Sequence, residues 1–194
     1  MTDNRFQVLD KNSAPSQSQK PLQQAEESLG AVPNILGIMA ASPQVLQGYL
    51  SINTLFAQSS LGEAEQQVVL LAASQENSCG YCVAAHSTIS RHQTDMPDNV
   101  LEALRNNERL PHAGLQALKE LTQEIVATQG MPAKQTVEAF FAAGYTEQNL
   151  LDVLLGVSLK TLSNYTNHIA QTPLDTMFAK EQVSEESLQK SKAA

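Results

Sequence analysis

The segment at residues 76–86 (ENSCGYCVAAH) contains the side chains whose types and spacing could do chemistry. Two residues separate Cys79 from Cys82, and His86 follows four positions after the second cysteine. At about 3.6 residues per turn, these three side chains share one face of a helix. An imidazole one turn from Cys82 can take the thiol proton and later return it to a leaving oxygen, and the neighbouring thiol can close a disulfide. The spacing predicts thiol redox chemistry of the kind that a peroxidase needs.

The start of this helix favours the reactive, ionised form of the thiols. Ser78 is a suitable N-cap residue, and it would place Cys79 in the first turn. The helix dipole and the free N–H groups at that end lower a cysteine pKa from its usual value of about 8.5. The dipole alone makes Cys79 the more acidic thiol, whereas the i, i+4 spacing pairs His86 with Cys82.

Two other interpretations of the cysteines compete with redox chemistry. A C-x-x-C pair is also half of a zinc site, but the second half is missing here, and His86 and His92 are spaced for opposite sides of one helix. The cysteines could also be inert core residues, because free cysteine is among the most buried residue types. We expect no bound metal and no cofactor.

The composition limits the kind of protein and the kind of partner. The 194-residue chain is 42% hydrophobic and 16% charged, which is typical of one globular domain. A formal net charge of −8 argues against a nucleic-acid or anionic-membrane partner, since both require clustered Lys and Arg. The first ten residues lack the features of a signal peptide, and no stretch has the length of a spanning helix. We therefore expect a cytoplasmic protein.

The chain divides into a polar N-terminal arm (residues 1–29), an all-α domain (30–180) and a polar C-terminal tail (181–194). Residues 10–28 are rich in Ser, Gln and Pro and have too little apolar surface to order themselves. Between the arm and the tail, apolar residues recur every three or four positions, which predicts a bundle of about seven helices. The predicted helices are residues 45–58, 63–76, the helix that carries the cysteines, 98–105, 115–128, 133–142 and 147 to about 169.

The segment ENSCGYCVAAHS resembles the C-x-x-C-x-x-x-H signature of the alkylhydroperoxidase D-like and carboxymuconolactone decarboxylase superfamily. Residues 61–75 and 162–175 are also similar to that superfamily, so the likeness covers roughly residues 30–178. It implies an all-α fold that assembles into trimers or hexamers, and hydroperoxide reduction through a cysteine pair and a Glu–His proton relay. In this sequence it implies Cys82 as the attacking thiolate, His86 as its relay partner and Cys79 as the resolving cysteine, which meets an external dithiol reductant.

Two positions depart from the superfamily pattern. The relay carboxylate, twelve residues before the first cysteine, is replaced by Gln67, which cannot exchange a proton, and Tyr81 stands where the best-known hydroperoxidases have a histidine. We predict that Glu76 supplies the missing acid, with Glu63, one turn before Gln67, as the other candidate. Tyr81 either hydrogen-bonds a bound peroxide or packs with its hydroxyl in water.

These residues together predict a thiol-dependent peroxidase that reduces alkyl hydroperoxides. One alternative is a redox-sensing or disulfide-exchange protein with little peroxidase turnover, and the missing acid at Gln67 favours it. A lyase of the carboxymuconolactone decarboxylase type is less consistent with the sequence, because lactone decarboxylation has no use for two adjacent thiols. The remaining alternative is a scaffold protein whose thiols do not react with peroxide.

Overall fold

The computed structural model describes residues 5–184 and Leu188, and within them the protein is all-α, as predicted. These residues form nine α-helices and a C-terminal 3-10 helix, of which α1, α2 and the 3-10 helix were not predicted. None of the helices in this part of the chain combines the length and the apolar character of a membrane span. The helices are α1 Ser16–Leu29, α2 Asn34–Met39, α3 Pro43–Ala57, α4 Glu63–Glu76, α5 Gly80–Gln93, α6 Asp98–Arg105, α7 Ala113–Ala127, α8 Lys134–Ala142, α9 Glu147–Ala170 and the 3-10 helix Thr176–Glu181.

The seven predicted helices correspond to α3–α9, and local capping residues fix their starts. Pro43 opens α3, and the Ser42 hydroxyl accepts a hydrogen bond from the Val45 N–H at 3.5 Å. At the start of α9, the side chains of Thr146 and Asn149 each accept a hydrogen bond from the other residue's backbone N–H. The expectation of a helical bundle with short connections is therefore confirmed for this part of the chain.

The prediction that residues 10–28 do not order is wrong, because most of this segment forms α1. Leu22 is fully buried, Ala25 is also buried, and the buried Ser18 hydroxyl donates a hydrogen bond to the Ala40 carbonyl at 2.8 Å. Their three- and four-residue spacing gives the helix one narrow apolar face, which is enough to attach a largely polar segment. That face packs on a cluster from α2 and α3 that includes Ile35, Leu36, Met39 and Leu46.

The central helix of the domain is α4, whose residues 68–73 are all buried and which packs against α5, α7 and α9. The helix α9 approaches this centre closely at Gly156. A Cβ atom there would lie 2.7 Å from Phe56 Cε2 and 2.8 Å from Val69 Cγ1. Only a residue without a side chain allows this approach, which sets the position of the following turns of α9.

Ionic contacts fix the chain after α9 against α5 and α6. The Glu181 carboxylate lies 2.7 Å from Arg91 Nε and 2.6 Å from Arg105 Nη1, and its side chain is 11% exposed. Burial alone would raise the pKa of Glu181, but the Arg91 hydrogen bond and the charges of both arginines lower it overall. The 3-10 helix also places the Phe178 ring edge-on to Tyr81, with centroids 6.0 Å apart. Of the predicted tail, residues 185–187 and 189–194 lie outside the described residues.

Candidate functional site

A tight reversal between α4 and α5 positions the two cysteines. Ser78 has a left-handed φ of 56°, and the Cys79 N–H donates to the Ser74 carbonyl at 2.8 Å, which closes the end of α4. Cys79 is therefore the N-cap residue of α5, and Cys82 lies in the first turn. The prediction that Ser78 caps this helix is wrong by one residue. The positive end of the helix dipole consequently lies beside Cys82 as well as Cys79.

The two sulfur atoms are buried and share one hydrogen-bond donor. Cys79 is 1% exposed and Cys82 is 3% exposed. The side-chain amide of Asn167 places Nδ2 3.2 Å from Cys82 Sγ and 3.7 Å from Cys79 Sγ. Ser163 Oγ lies 3.9 Å from Cys82 Sγ, one turn earlier on α9. The first turn of α5 and the C-terminal half of α9 thus enclose the pair.

The environment gives the two thiols opposite acidities. Burial alone would raise the pKa of Cys82, but a hydrogen bond from Cys79 and the charge and hydrogen bond of Lys160 lower it well below its usual value. The pKa of Cys79 is raised, first because its thiol donates a hydrogen bond to Cys82 and second because it is buried. Cys82 is therefore the thiolate, and Cys79 is the protonated thiol beside it.

The positive charge beside Cys82 belongs to Lys160, which is 1% exposed. Burial alone would lower the pKa of this ammonium group, but the negative charge of Cys82 raises it overall. Charged side chains are rarely buried without a partner of opposite sign. Lys160 and Cys82 thus form a buried ion pair.

The motif around the cysteines gives no sign of Lys160, but the pattern of α9 does. Lys160 falls on the stripe of this helix that is buried, at three- and four-residue spacing from the residues before and after it. A lysine at a core position of an amphipathic helix indicates a buried charge in need of an anion. The other members of the stripe are Val153, Gly156, Ser163 and Asn167.

His86 is held by Gln67, which the sequence resemblance places where a relay carboxylate is expected. Its Nδ1 lies 3.0 Å from Gln67 Oε1. Because an amide oxygen only accepts hydrogen bonds, Nδ1 carries the proton and Nε2 keeps its lone pair. Burial lowers the pKa of the imidazole well below its usual value, and the charge of Lys160 lowers it further. His86 is therefore neutral and acts as a hydrogen-bond acceptor through Nε2.

The Tyr81 hydroxyl makes two hydrogen bonds within the protein. It donates to Asp175 Oδ2 at 2.5 Å and accepts from the Ile35 N–H at 3.3 Å, and Asp175 also accepts from the Asn34 N–H at 3.0 Å. Burial and the neighbouring Asp175 raise the pKa of the phenol. The hydroxyl ties α5 to the start of α2 and to the segment after α9.

The two predicted acids lie at opposite ends of α4. Glu63 is its first residue and is exposed, whereas Glu76 is its last residue and is half-buried, three positions before Cys79. Neither belongs to the described residues that line the cavity at Cys82. Gln67 lies between them on α4 and contacts His86.

A cavity of about 190 Å³ opens onto Cys82. His86, Lys160 and Tyr49 also line it, whereas Cys79 does not, so a molecule in the cavity would meet the Cys82 sulfur first. No group of three His, Cys, Asp or Glu side chains in the described part of the chain could hold a metal ion. Most of the remaining wall is apolar and includes Pro33, Ile35, Leu36, Leu50, Ile89 and Phe178.

Comparison with known proteins confirms the resemblance seen in the sequence. Residues 43–123 match the model of the carboxymuconolactone decarboxylase family. This region contains Cys79, Cys82 and His86 but ends before α9, so it includes neither Lys160 nor Asn167. No curated protein matches the chain.

Solved structures share the fold over almost the whole chain. A peroxidase-related protein from Ralstonia eutropha JMP134, described as an alkylhydroperoxidase AhpD core, is 20% identical with a TM-score of 0.75, covering 90% of this chain and 93% of that one. A peroxidase-related protein from Silicibacter sp. TM1040 is 18% identical with a TM-score of 0.75, covering 90% and 92%. The debrominase Bmp8 is 13% identical with a TM-score of 0.78, covering 97% and 100%. At these identities the likeness shows the fold alone.

Proposed function

We propose that this chain, which resembles the alkylhydroperoxidase D-like and carboxymuconolactone decarboxylase superfamily, is a thiol-dependent peroxidase that reduces organic hydroperoxides. The observation that carries the proposal is that the two cysteines differ in protonation state and in access to the cavity. Cys82 is a thiolate on the wall of a cavity, and Cys79 is a protonated thiol directly behind it. Peroxide reduction by a cysteine pair requires a nucleophilic thiolate that faces the substrate. It also requires a second thiol close enough to condense with the sulfenic acid.

The reaction has three steps. The Cys82 thiolate attacks the terminal oxygen of the hydroperoxide and the O–O bond breaks, which gives a sulfenic acid on Cys82 and an alkoxide that takes up a proton to become the alcohol. The Cys79 thiol then condenses with the sulfenic acid to give a disulfide and water. An external dithiol reduces the disulfide and is itself oxidised, which restores both cysteines. No bound cofactor takes part in this scheme.

His86 orients the substrate in this proposal. The neutral imidazole, fixed by Gln67, offers its Nε2 lone pair as the acceptor for the O–H of a hydroperoxide. Tyr81 acts on the site by holding the start of α5 in place, because its hydroxyl is bonded to Asp175 and Ile35. The predicted role of Glu76 as a relay acid stays a prediction, and a Glu76→Gln variant with unchanged peroxide turnover would contradict it.

The cavity favours a small, largely apolar hydroperoxide. A space of about 190 Å³ holds a compact organic group, and most of its wall is formed by aliphatic and aromatic side chains. The polar residues of the lining are Cys82, His86 and Lys160, together with Tyr49, Asn53, Tyr81 and Ser163. We therefore expect alkyl or aryl hydroperoxides to react faster than long or charged ones.

The partners are proposed as an external dithiol and further copies of the same chain, in a trimer or hexamer, in the cytoplasm. Exposed apolar side chains on α9 support self-association, since exposed apolar surface on a helix is typical of a contact surface. Sedimentation velocity of the full chain tests this point, and a monomer at micromolar concentration would contradict it. The exposed residues are Leu151, Leu154, Tyr165 and Ile169.

Peroxide turnover with a chemical reductant tests the proposed function. The reduced protein is mixed with cumene hydroperoxide and excess dithiothreitol, and the alcohol product is quantified beside the Cys82→Ser and Cys79→Ser variants. We expect turnover in the wild type, none in Cys82→Ser, and slower turnover in Cys79→Ser, whose sulfenic acid dithiothreitol must reduce directly. Oxidation to the disulfide with negligible turnover would instead favour redox sensing or disulfide exchange.

The same site could also support thiol-dependent reductive dehalogenation. The observation that favours it is an apolar cavity of about 190 Å³ beside a thiolate, which suits one small flat ring. The Bmp8 debrominase shares the fold, and a cysteine-to-alanine variant of that protein was crystallised with 2,3,4-tribromopyrrole. Bromide release from this compound, with dithiothreitol as reductant, tests the alternative. No release under conditions that support peroxide turnover would exclude it.

A further inference from the structure

We propose that Lys160 is a catalytic residue of this site, which holds Cys82 as the thiolate and then donates its proton to the alkoxide that leaves when the O–O bond breaks. This inference rests on the proposed peroxidase function and assigns one of its steps. It concerns a residue outside the region that matches the family model.

The geometry places Lys160 beside both reacting partners. Its side chain is 1% exposed and lines the same cavity as Cys82, so it faces the position of the substrate. It lies one turn before Ser163, whose hydroxyl is 3.9 Å from Cys82 Sγ. None of the described residues that line the cavity is an Asp or a Glu. Cys82 is therefore the anion that balances the buried ammonium group.

The ion pair keeps Lys160 protonated until the O–O bond breaks. The negative charge of Cys82 keeps Lys160 protonated against the effect of burial, which alone would lower its pKa. Attack on the hydroperoxide converts the thiolate into a neutral sulfenic acid and removes that charge. The negative charge is then on the newly formed alkoxide, a strong base next to the buried ammonium group. Proton transfer from nitrogen to oxygen removes both charges at once.

The other titratable groups around Lys160 are less suited to this role. His86 is neutral, because burial and the charge of Lys160 lower its pKa, and its Nδ1 proton is directed at Gln67. The pKa of the Tyr49 phenol is raised by burial, so it holds its proton more tightly than a free phenol. Cys79 has a raised pKa and is absent from the cavity wall.

The cycle balances with Lys160 as the donor. The Cys82 thiolate, the Lys160 ammonium group and ROOH give the sulfenic acid, a neutral amine and ROH. The Cys79 thiol and the sulfenic acid give the disulfide and water. An external dithiol then reduces the disulfide to two thiols and becomes a disulfide itself, and the Cys82 thiol returns its proton to the amine. The sum is ROOH plus a dithiol giving ROH, water and a disulfide.

Two variants separate proton donation from charge pairing. Lys160→Met removes the charge at similar volume, whereas Lys160→Arg keeps a permanent positive charge that cannot give up its proton. Each is reacted with cumene hydroperoxide, whose leaving alkoxide needs a proton, and with peracetic acid, whose leaving carboxylate does not. The rate of Cys82 oxidation is divided by the thiolate fraction, which is measured by ultraviolet absorbance. Helical circular dichroism confirms that each variant folds.

We expect Lys160→Met to raise the pKa of Cys82 and to slow oxidation by cumene hydroperoxide about 100-fold or more, with a much smaller effect on peracetic acid. Lys160→Arg should keep the thiolate and the peracetic acid reaction while losing the cumene hydroperoxide reaction. Equal losses for the two oxidants, or an unchanged thiolate fraction in Lys160→Met, would overturn the inference. A wild-type protein that reacts with peracetic acid but reduces no hydroperoxide would instead overturn the proposed function.

Discussion

The amide of Asn167 donates a hydrogen bond to the Cys82 sulfur, and its removal has an effect that can be calculated. Nδ2 lies 3.2 Å from Cys82 Sγ, and the side chain is 5% exposed, so water does not replace the donor easily. A hydrogen bond to a charged group contributes about 1.5–3 kcal/mol. One pKa unit corresponds to about 1.4 kcal/mol. Asn167→Leu, which removes the donor at similar volume, should therefore raise the pKa of Cys82 by about one to two units.

The thiolate absorbance as a function of pH measures this shift directly. Cys79 contributes little to the titration, because its own pKa is raised by the hydrogen bond to Cys82 and by burial. At neutral pH, oxidation of Asn167→Leu by cumene hydroperoxide should slow in proportion to the lost thiolate and recover as the pH is raised. Ser163→Ala is the matched control on the same helix. Its hydroxyl lies 3.9 Å from Cys82 Sγ, too far for a strong bond, so the pKa of Cys82 should change little.

Either of two results would refute this reasoning. If the pKa of Cys82 is the same in Asn167→Leu and the wild type, the amide does not stabilise the thiolate. If Ser163→Ala raises it as much as Asn167→Leu does, the shift comes from repacking of α9 and not from a lost hydrogen bond.

Three further predictions concern packing, the histidine and the ion pairs. Gly156→Ala should lower the free energy of unfolding by about 1–3 kcal/mol, because its Cβ overlaps packed atoms. The control Gly48→Ala should raise it by about 0.5–1 kcal/mol, since a Cβ there meets nothing within 4 Å; urea denaturation measures both. Gln67→Glu should raise the pKa of His86, because a carboxylate beside the imidazole favours its charged form, and an NMR titration of the ring shows it. Glu181→Gln should lower the free energy of unfolding at neutral pH by about 1.5–3 kcal/mol. The folded-state pKa of Glu181 lies below the unfolded-state value of about 4.3. The stabilisation by its ion pairs is therefore fully present above that pH and is lost as the pH falls through the lowered pKa.

A different result would contradict each of these predictions. Equal stability of the two glycine variants would show that α9 can shift without cost at Gly156. An unchanged pKa of His86 in Gln67→Glu would show that the new carboxylate does not reach the imidazole. A Glu181→Gln effect that persists in acid would show that the cost comes from packing and not from the ion pairs.

Much of the fold follows from local signals in the sequence. The starts of α3 and α9 are marked by Ser42, Pro43 and Thr146, residues that satisfy free N–H groups or suit the first helical turn. The spacing of Cys82 and His86 likewise places both on one cavity wall. These features depend on contacts within a few residues, which a sequence pattern shows directly.

The features that the sequence did not predict depend on contacts between distant segments. Most of the surface of α1 is polar, and the helix is ordered because Leu22 and Ala25 pack into an apolar cluster with residues of α2 and α3. Lys160 lies far from the cysteines in sequence, and its role becomes visible only when α9 packs beside α5. The Tyr81 hydroxyl meets Asp175 for the same reason. A pattern within one helix can show that a position is buried, but not which residue lies opposite.

The central claim is that Cys82, not Cys79, attacks the hydroperoxide, and chemical trapping of the sulfenic acid tests it most directly. The Cys79→Ser variant cannot form the disulfide, so its sulfenic acid should persist long enough to react with dimedone. After brief treatment with cumene hydroperoxide, mass spectrometry should locate one dimedone adduct, on Cys82, and none in a parallel Cys82→Ser sample. An adduct on Cys79 in the Cys82→Ser sample, with none on Cys82 in the Cys79→Ser sample, would contradict the assignment.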